Sequence, residues 1–273
     1  MDYIHGYSQQ EQERLIQQAE YWRSQLILRD LDYAPGNSLL EIGCGAGAVL
    51  GILGKEFPQL KLAGIDLQAK QIDYARQHLQ QLELNRVDLR VGDASKLPWQ
   101  DSSFDYLYAI WFVEHLPNPQ QILEEARRVL KVGGTITLTE TDYRTILISP
   151  PSADYDYLHS ALMELFFKAS GNSYIGQSLG NLLVSAGYKK VTNKPLAFHF
   201  SSSQNKQEFK KFIDYIDSWL APTIPQMVEE LGKDKDRLIS GLNWFHQLPN
   251  LNDGAITVVI YRATGNKDRA SSM

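Results

Sequence analysis

Apolar residues recur at helical spacing from the start of the chain: across residues 8–31, Leu15, Ala19, Trp22, Leu26 and Leu31 stand three to five positions apart with polar residues between them. Ser8 and Glu11 suit a capping box at the start of this helix. Pro35-Gly36-Asn37 breaks the chain after it. From there short apolar runs alternate with amphipathic stretches. The runs at 38–43, 61–67, 87–93, 104–112 and 135–141 predict strands, and the stretches at 48–57, 68–82 and 119–130 predict helices. Strands and helices at this spacing imply βαβ units around a parallel sheet, and near-continuously apolar strands fit a sheet covered on both faces.

Beyond residue 145 the rhythm changes. Helices are expected at 155–169 and 176–188, a strand at 189–200, a polar, helix-forming stretch at 201–248 broken by Pro222 and Pro225, and a last strand at 255–264. The polar end, GNKDRASSM, reads as a disordered tail at 265–273.

Composition narrows the classes. The 273 residues are 43% hydrophobic and 22% charged, an ordinary globular balance. A net charge of −5 argues against a general nucleic-acid-binding face, which needs clustered cations to neutralise phosphates. One cysteine, Cys44, leaves neither an intrachain disulfide nor a multi-cysteine zinc site. The first thirty residues contain no apolar signal core, and no run approaches the ~18–20 apolar residues of a membrane span. The expectation is a cytoplasmic protein without membrane or nucleic-acid partners.

The candidate chemistry centres on LLEIGCGAGAVL at 39–50, where three glycines follow an apolar strand ending in an acid. Gly43, Gly45 and Gly47 permit a sharp turn and close backbone approach to a ligand. The helix that follows presents free N–H groups to something anionic. A tight turn without a ligand is the alternative. The order E-x-G-x-G-x-G differs from the dinucleotide G-x-G-x-x-G, and Asp66 ends the next strand, where an acid can accept the hydroxyls of an adenosine ribose.

In these residues the chain resembles the class I S-adenosylmethionine (SAM)-dependent methyltransferases. Glu41 to Gly47 is similar to the family's first motif, GIDL to the ribose-binding acid, GDASKLPW to the adenine motif, FDYLYAIWFVEHLPNP to the fourth strand and its loop, and RVLKVGGTITLTE to the turn into the fifth strand. The motifs occur in order over residues 36–142. The resemblance implies a Rossmann-like α/β fold, a seven-stranded, mostly parallel sheet with an antiparallel last strand. It also implies SAM as cofactor, S-adenosyl-L-homocysteine as product, and no metal. By the same resemblance Glu41 orients the loop and meets the methionine amino group, Asp66 holds the ribose, Leu67 packs on adenine, and Asp93 and Ala94 bind its edge, with Ala109 in the cofactor wall. HGYS with EQERL resembles a lid over the pocket, in which Tyr7 closes on the cofactor. The implied organisation is a lid at 1–34, the SAM-binding core at 35–145, and the rest of the sheet at 146–264, with a helical substrate cap at about 201–250.

Methyl transfer from a sulfonium is an in-line displacement with a good, neutral leaving group, so alignment and exclusion of water dominate. His115, just after the fourth strand, is the candidate base; the alternative is that it fixes its loop. Glu140, and with it Asp142, could bind an amine or hydroxyl at the end of the fifth strand. Trp111 and Tyr143 lead an aromatic set with Phe112, Tyr155, Tyr157, Phe166 and Phe167 that could line a substrate pocket. The expected reaction is methylation of an O, N or C atom of a small molecule. Alternatives are a protein or tRNA methyltransferase, a catalytically silent SAM-binding subunit, or an NAD(P) oxidoreductase. A homodimer through the cap is left open.

Overall fold

The computed structural model describes Gly6 and residues 8–268. Seven strands form one sheet: β1 (Ser38–Ile42), β2 (Lys61–Asp66), β3 (Asp88–Val91), β4 (Phe104–Ile110), β5 (Leu130–Ser149), β6 (Lys189–Ser201) and β7 (Ala255–Asn266). Their order is β3-β2-β1-β4-β5-β7-β6. The first five pair in parallel, and β7 runs antiparallel between β5 and β6. The chain steps from β3 back across to β4, so the crevice above β1 and β4 is the topological switch point where such sheets bind ligands.

Alternation along β1 shows how the sequence builds two cores. Leu39 packs on one face and Leu40 on the other. Helices α4 (Pro119–Val129) and α6 (Leu179–Ser185) cover the second face through Leu123, Ala126, Leu179 and Leu183. The first face carries α1 (Gln9–Tyr21), α2 (Ala48–Glu56) and α3 (Ala69–Gln81), then the cap helices α5 (Ala153–Lys168), α7 (Lys206–Leu220), α8 (Ile224–Leu231) and α9 (Lys235–Gln247).

The amino-terminal segment departs from the single helix expected over 8–31. Ser8 does cap α1, accepting from the Glu11 amide at 3.1 Å. The helix ends at Tyr21, and Arg23–Ile27 forms a π-turn that drives Trp22, Leu26 and Ile27 into the core. Arg262 of β7 explains how this wide turn is held: its guanidinium donates to the carbonyls of Leu26 and Arg29 and to Thr139 Oγ1. Those carbonyls, left over at a helix end, gain a buried cationic donor.

Strand β5 is longer than the run at 135–141. It continues past the parallel half of the sheet and pairs with β7 as far as Ser149 against Ala255, so the expected boundary at 145 falls mid-strand. β7 likewise continues through Gly265 and Asn266, two residues of the expected tail; residues 269–273 lie outside the described residues. Beneath the cap, Phe200 of β6 stacks on Phe212 of α7 with centroids 4.2 Å apart.

Candidate functional site

A cavity of about 260 Å³ opens above the carboxyl ends of β1 and β4, between α1, the glycine loop and α7. Its first half is built by the loop. Gly43, Gly45 and Gly47 all have φ between +46° and +76°, the left-handed region that favours glycine. Their roles differ. A Cβ on Gly43 would lie 2.3 Å from the Phe112 ring, and one on Gly47 would lie 3.0 Å from Ala75 of α3. Only at Gly45 is the space open, with Leu15 at 3.8 Å. Gly43 and Gly45 line the cavity, whereas Gly47 does not: it is the left-handed residue that starts α2 and packs it on α3.

Asp66 closes the loop from β2. Its Oδ2 accepts the Gly45 amide at 3.0 Å and its Oδ1 the Gln68 amide at 2.9 Å. Each oxygen keeps a lone pair for a ligand hydroxyl. Burial raises the Asp66 carboxyl above its usual range, against the lowering effect of those two amides. Glu41 is buried at the loop's root, and burial raises its pKa well above that of an ordinary glutamate. Its Oε2 is a buried oxygen without a hydrogen-bond donor. Leu67, 56% exposed, stands beside Asp93 and Ala94 along the cavity rim. An orphaned acceptor at Glu41, lone pairs at Asp66, an open Gly45 and an exposed apolar Leu67 suit a ligand with an ammonium end, a diol and a flat heterocycle. Such residues fit an adenosyl-methionine group.

Of the other expected cofactor residues, one falls elsewhere. Ala109 is packed in the core beneath α4 and is absent from the cavity wall, because the alternation of β4 turns Ile110 toward the cavity in its place. Tyr7 lies outside the described residues.

The second half of the cavity is aromatic and acidic. Trp111 adopts φ +49°, a strained conformation for a bulky residue, and its indole N–H donates to Thr141 Oγ1 at 3.1 Å. Strain at a cavity wall marks an orientation that the surroundings enforce. Trp111, Phe112, Tyr143 and Phe166 line the space; Tyr155, Tyr157 and Phe167 do not. Tyr155 stacks on Phe245 in the cap core, Tyr157 lies under Arg237, and Phe167 faces outward.

His115 lines the cavity from a 3-10 turn, Val113–His115, and stacks on Phe166 at 5.7 Å. Burial lowers its pKa to about 4, so the imidazole is neutral at pH 7. Glu140 is not on the cavity wall. It is fully buried, and its Oε1 accepts the amides of Phe112 and Val113 at 2.9 and 2.7 Å. It therefore holds the turn that carries His115, and the expectation of a substrate-contacting Glu140 is corrected to that of a loop anchor. Asp142 pairs with Arg144 and is also off the wall.

The residues that sequence reasoning missed are Glu114, Arg14, Gln18, Tyr215 and Trp219, all on the cavity wall. Arg14 is held by Glu11 at 2.6 and 2.7 Å. Tyr215 and Trp219 stand four apart on α7, a signal that a plain core stripe gives equally. Glu114 sits next to the histidine that drew attention, and nothing in its spacing announces burial.

Residues 40–138 match the methyltransferase-domain family. The chain is 33% identical over 180 residues to an uncharacterized 37.1 kDa protein in transposon TN4556 of Streptomyces fradiae, covering 66% of this chain and 51% of that one. The chain thus spans about half the length of that relative. It is 28% identical over 198 residues to demethylmenaquinone methyltransferase of Bacillus cereus (strain AH187), covering 67% of this chain and 82% of the other. In fold it is similar to Haemonchus contortus phosphoethanolamine N-methyltransferase 2 in complex with phosphomonomethylethanolamine and S-adenosylhomocysteine, with a TM-score of 0.62, 16% identity, and 98% of this chain and 61% of that chain covered. It is also similar to YcgJ of Bacillus subtilis, with a TM-score of 0.58, 16% identity, and 96% and 100% covered. At such identities the structural likeness concerns the fold.

Proposed function

We propose that the chain, whose residues 40–138 match the methyltransferase-domain family, is a class I SAM-dependent methyltransferase that methylates an O, N or C atom of a small organic molecule. The observation that carries this reading is one cavity with two unlike halves. The glycine loop and Asp66 form one, and aromatic side chains with His115 form the other. The names of the Bacillus cereus and Haemonchus contortus proteins support a small acceptor.

SAM, when bound, supplies an electrophilic methyl on a positively charged sulfur, leaving S-adenosyl-L-homocysteine. The chain's own residues bind and orient. Glu41 offers its unpartnered oxygen to an ammonium, Asp66 holds a diol against the loop, and Leu67, Asp93 and Ala94 bracket a flat base. Trp111 and Tyr143 confine the acceptor, and the aromatic wall keeps water out. Orientation of this kind contributes on the order of 7–11 kcal/mol. A neutral His115 is available to take a proton from an acceptor that brings one. Among the described residues no helix is long and apolar enough to cross a membrane. A cytoplasmic location and self-association through the cap belong to the proposal.

Titration calorimetry with SAM and S-adenosylhomocysteine tests it. Wild-type protein binds both, and Asp66→Ala weakens both by about 10- to 100-fold, the equivalent of a charged hydrogen bond. No uptake by the wild type, or equal uptake by the variant, removes the assignment.

A further inference from the structure

Behind the aromatic half of the cavity lie two buried acids, Glu114 and Glu140, neither of them required in ionised form by any cation among the described residues that contacts them. Glu140 Oε1 is occupied by two backbone amides. Glu114 Oε1 has the Tyr143 hydroxyl at 3.4 Å and His115 Nε2 at 3.5 Å. The second oxygen of each acid is buried with no N–H or hydroxyl donor in reach, and burial first, then the charge of neighbouring Glu140, raises the Glu114 carboxyl well above its usual range. An ionised carboxylate only accepts, so a buried acid oxygen without a donor is satisfied by taking a proton or by meeting a cation. Glu114 is 2% exposed and lines the cavity.

The rings around it make a cage. Tyr143 stands 5.0 Å from Phe166 and 5.9 Å from Trp219, the latter edge-on at 88°, and Tyr215 completes the wall. The guanidinium on this side, Arg14, is held by Glu11 in a two-point pair. What remains facing an acceptor is Glu114 behind aromatic faces, with Glu140 buried at its back. Ring faces attract cations, and a buried acid is stabilised in its charged form by an opposite charge close by.

We propose that the methyl acceptor is an amine, taken up as its ammonium ion, and that Glu114 is the group that receives it. This rests on the methyltransferase reading. Glu114, as its carboxylate, pairs with the ammonium. One N–H bond then breaks and its proton goes to Glu114, leaving a nitrogen lone pair. That lone pair forms the N–C bond to the donor methyl as the C–S bond breaks, and the bonding electrons stay on sulfur. That proton leaves Glu114 for water when the product departs. The raised pKa of both acids, caused first by burial, suits them to hold protons at neutral pH. An alcohol of the same shape brings no charge to compensate Glu114.

The test is calorimetry at pH 7.5 on protein saturated with S-adenosylhomocysteine, titrated with phenethylamine, tyramine and butylamine and with 2-phenylethanol, tyrosol and butanol as their matched alcohols. At least one amine binds about 10-fold or more tightly than its alcohol, and Glu114→Gln brings that ratio close to one while S-adenosylhomocysteine affinity stays within about twofold. Trp219→Leu, which leaves both acids in place, lowers the ratio as well and decides the matter should Glu114→Gln fail to fold. The amine proposal is overturned if no amine exceeds its alcohol, or if the ratio survives the variant. Loss of S-adenosylhomocysteine binding by the wild type would instead overturn the methyltransferase reading.

Discussion

At the scale of single residues, the three loop glycines separate by what each one touches. Gly43→Ala puts a methyl into the Phe112 ring at φ +73°, so it should lower unfolding free energy by about 1–3 kcal/mol. Gly45→Ala meets open space and carries only the conformational penalty of roughly 1–2 kcal/mol, yet it narrows the cavity beside Asp66. Urea unfolding and S-adenosylhomocysteine titration should therefore rank the two variants in opposite orders; the same order in both would refute the division of roles. Glu140 makes a second residue-scale prediction. Its pKa is raised to about 8 by burial, above its unfolded value, so its stabilising contribution is present in acid and is lost as pH rises through about 8. Glu140→Gln, which still accepts the two amides, should gain on the wild type by roughly 1–3 kcal/mol between pH 5 and 8. A difference that stays flat with pH would count against a protonated Glu140.

At the scale of elements, Arg262 shows that β7 and the amino-terminal π-turn stand or fall together. Arg262→Met keeps the bulk but abandons the carbonyls of Leu26 and Arg29, which should cost about 2–4 kcal/mol in urea unfolding. A loss under about 0.5 kcal/mol, typical of an ordinary surface change, would show that water can replace the guanidinium. The same elements mark how far the sequence could be read. The βαβ alternation was plain, because strands buried on both faces are apolar throughout and their helices are not. The break of the first helix at Trp22 was hidden, since Trp22, Leu26 and Leu31 keep helical spacing across it. The reach of β5 was hidden too: Asp142, Arg144 and Thr145 interrupt its apolar run, and the pairing with β7 shifts register there. In the site, the loop was legible because its left-handed turns favour glycine, and Asp66 because it ends the next strand at the carboxyl edge of the sheet. Glu114 and the α7 rings were not, because the long-range contacts that bury them leave no trace in local spacing.

At the scale of the whole molecule, α1 touches both sides of the cavity. Arg14, Leu15, Gln18 and Ala19 face the interior, and Tyr21 stacks on Tyr215 of α7 at 5.0 Å. The cap helices rest on one another and on strands, with Gly241 of α9 so near α5 that a Cβ there would lie 2.3 Å from the Asp154 carbonyl. Amide hydrogen exchange should therefore be faster in α1 than in α5 or α9, and S-adenosylhomocysteine should slow it in α1 above all. Equal protection of the three helices, or no change on binding, would show that ligands enter elsewhere.

The long strand β5 has a consequence for anyone wishing to exchange specificities between relatives. One ribbon of backbone, from Leu130 to Ser149, serves the cofactor end and the roof alike, and its upper rungs are shared with β7, as where Leu147 meets Thr257. The roof is thus no cassette. A graft joined at residue 146 would part the rungs at 135–142 from those at 147–149, whereas one that carries β5, β6 and β7 entire keeps every rung that β7 makes with its mate.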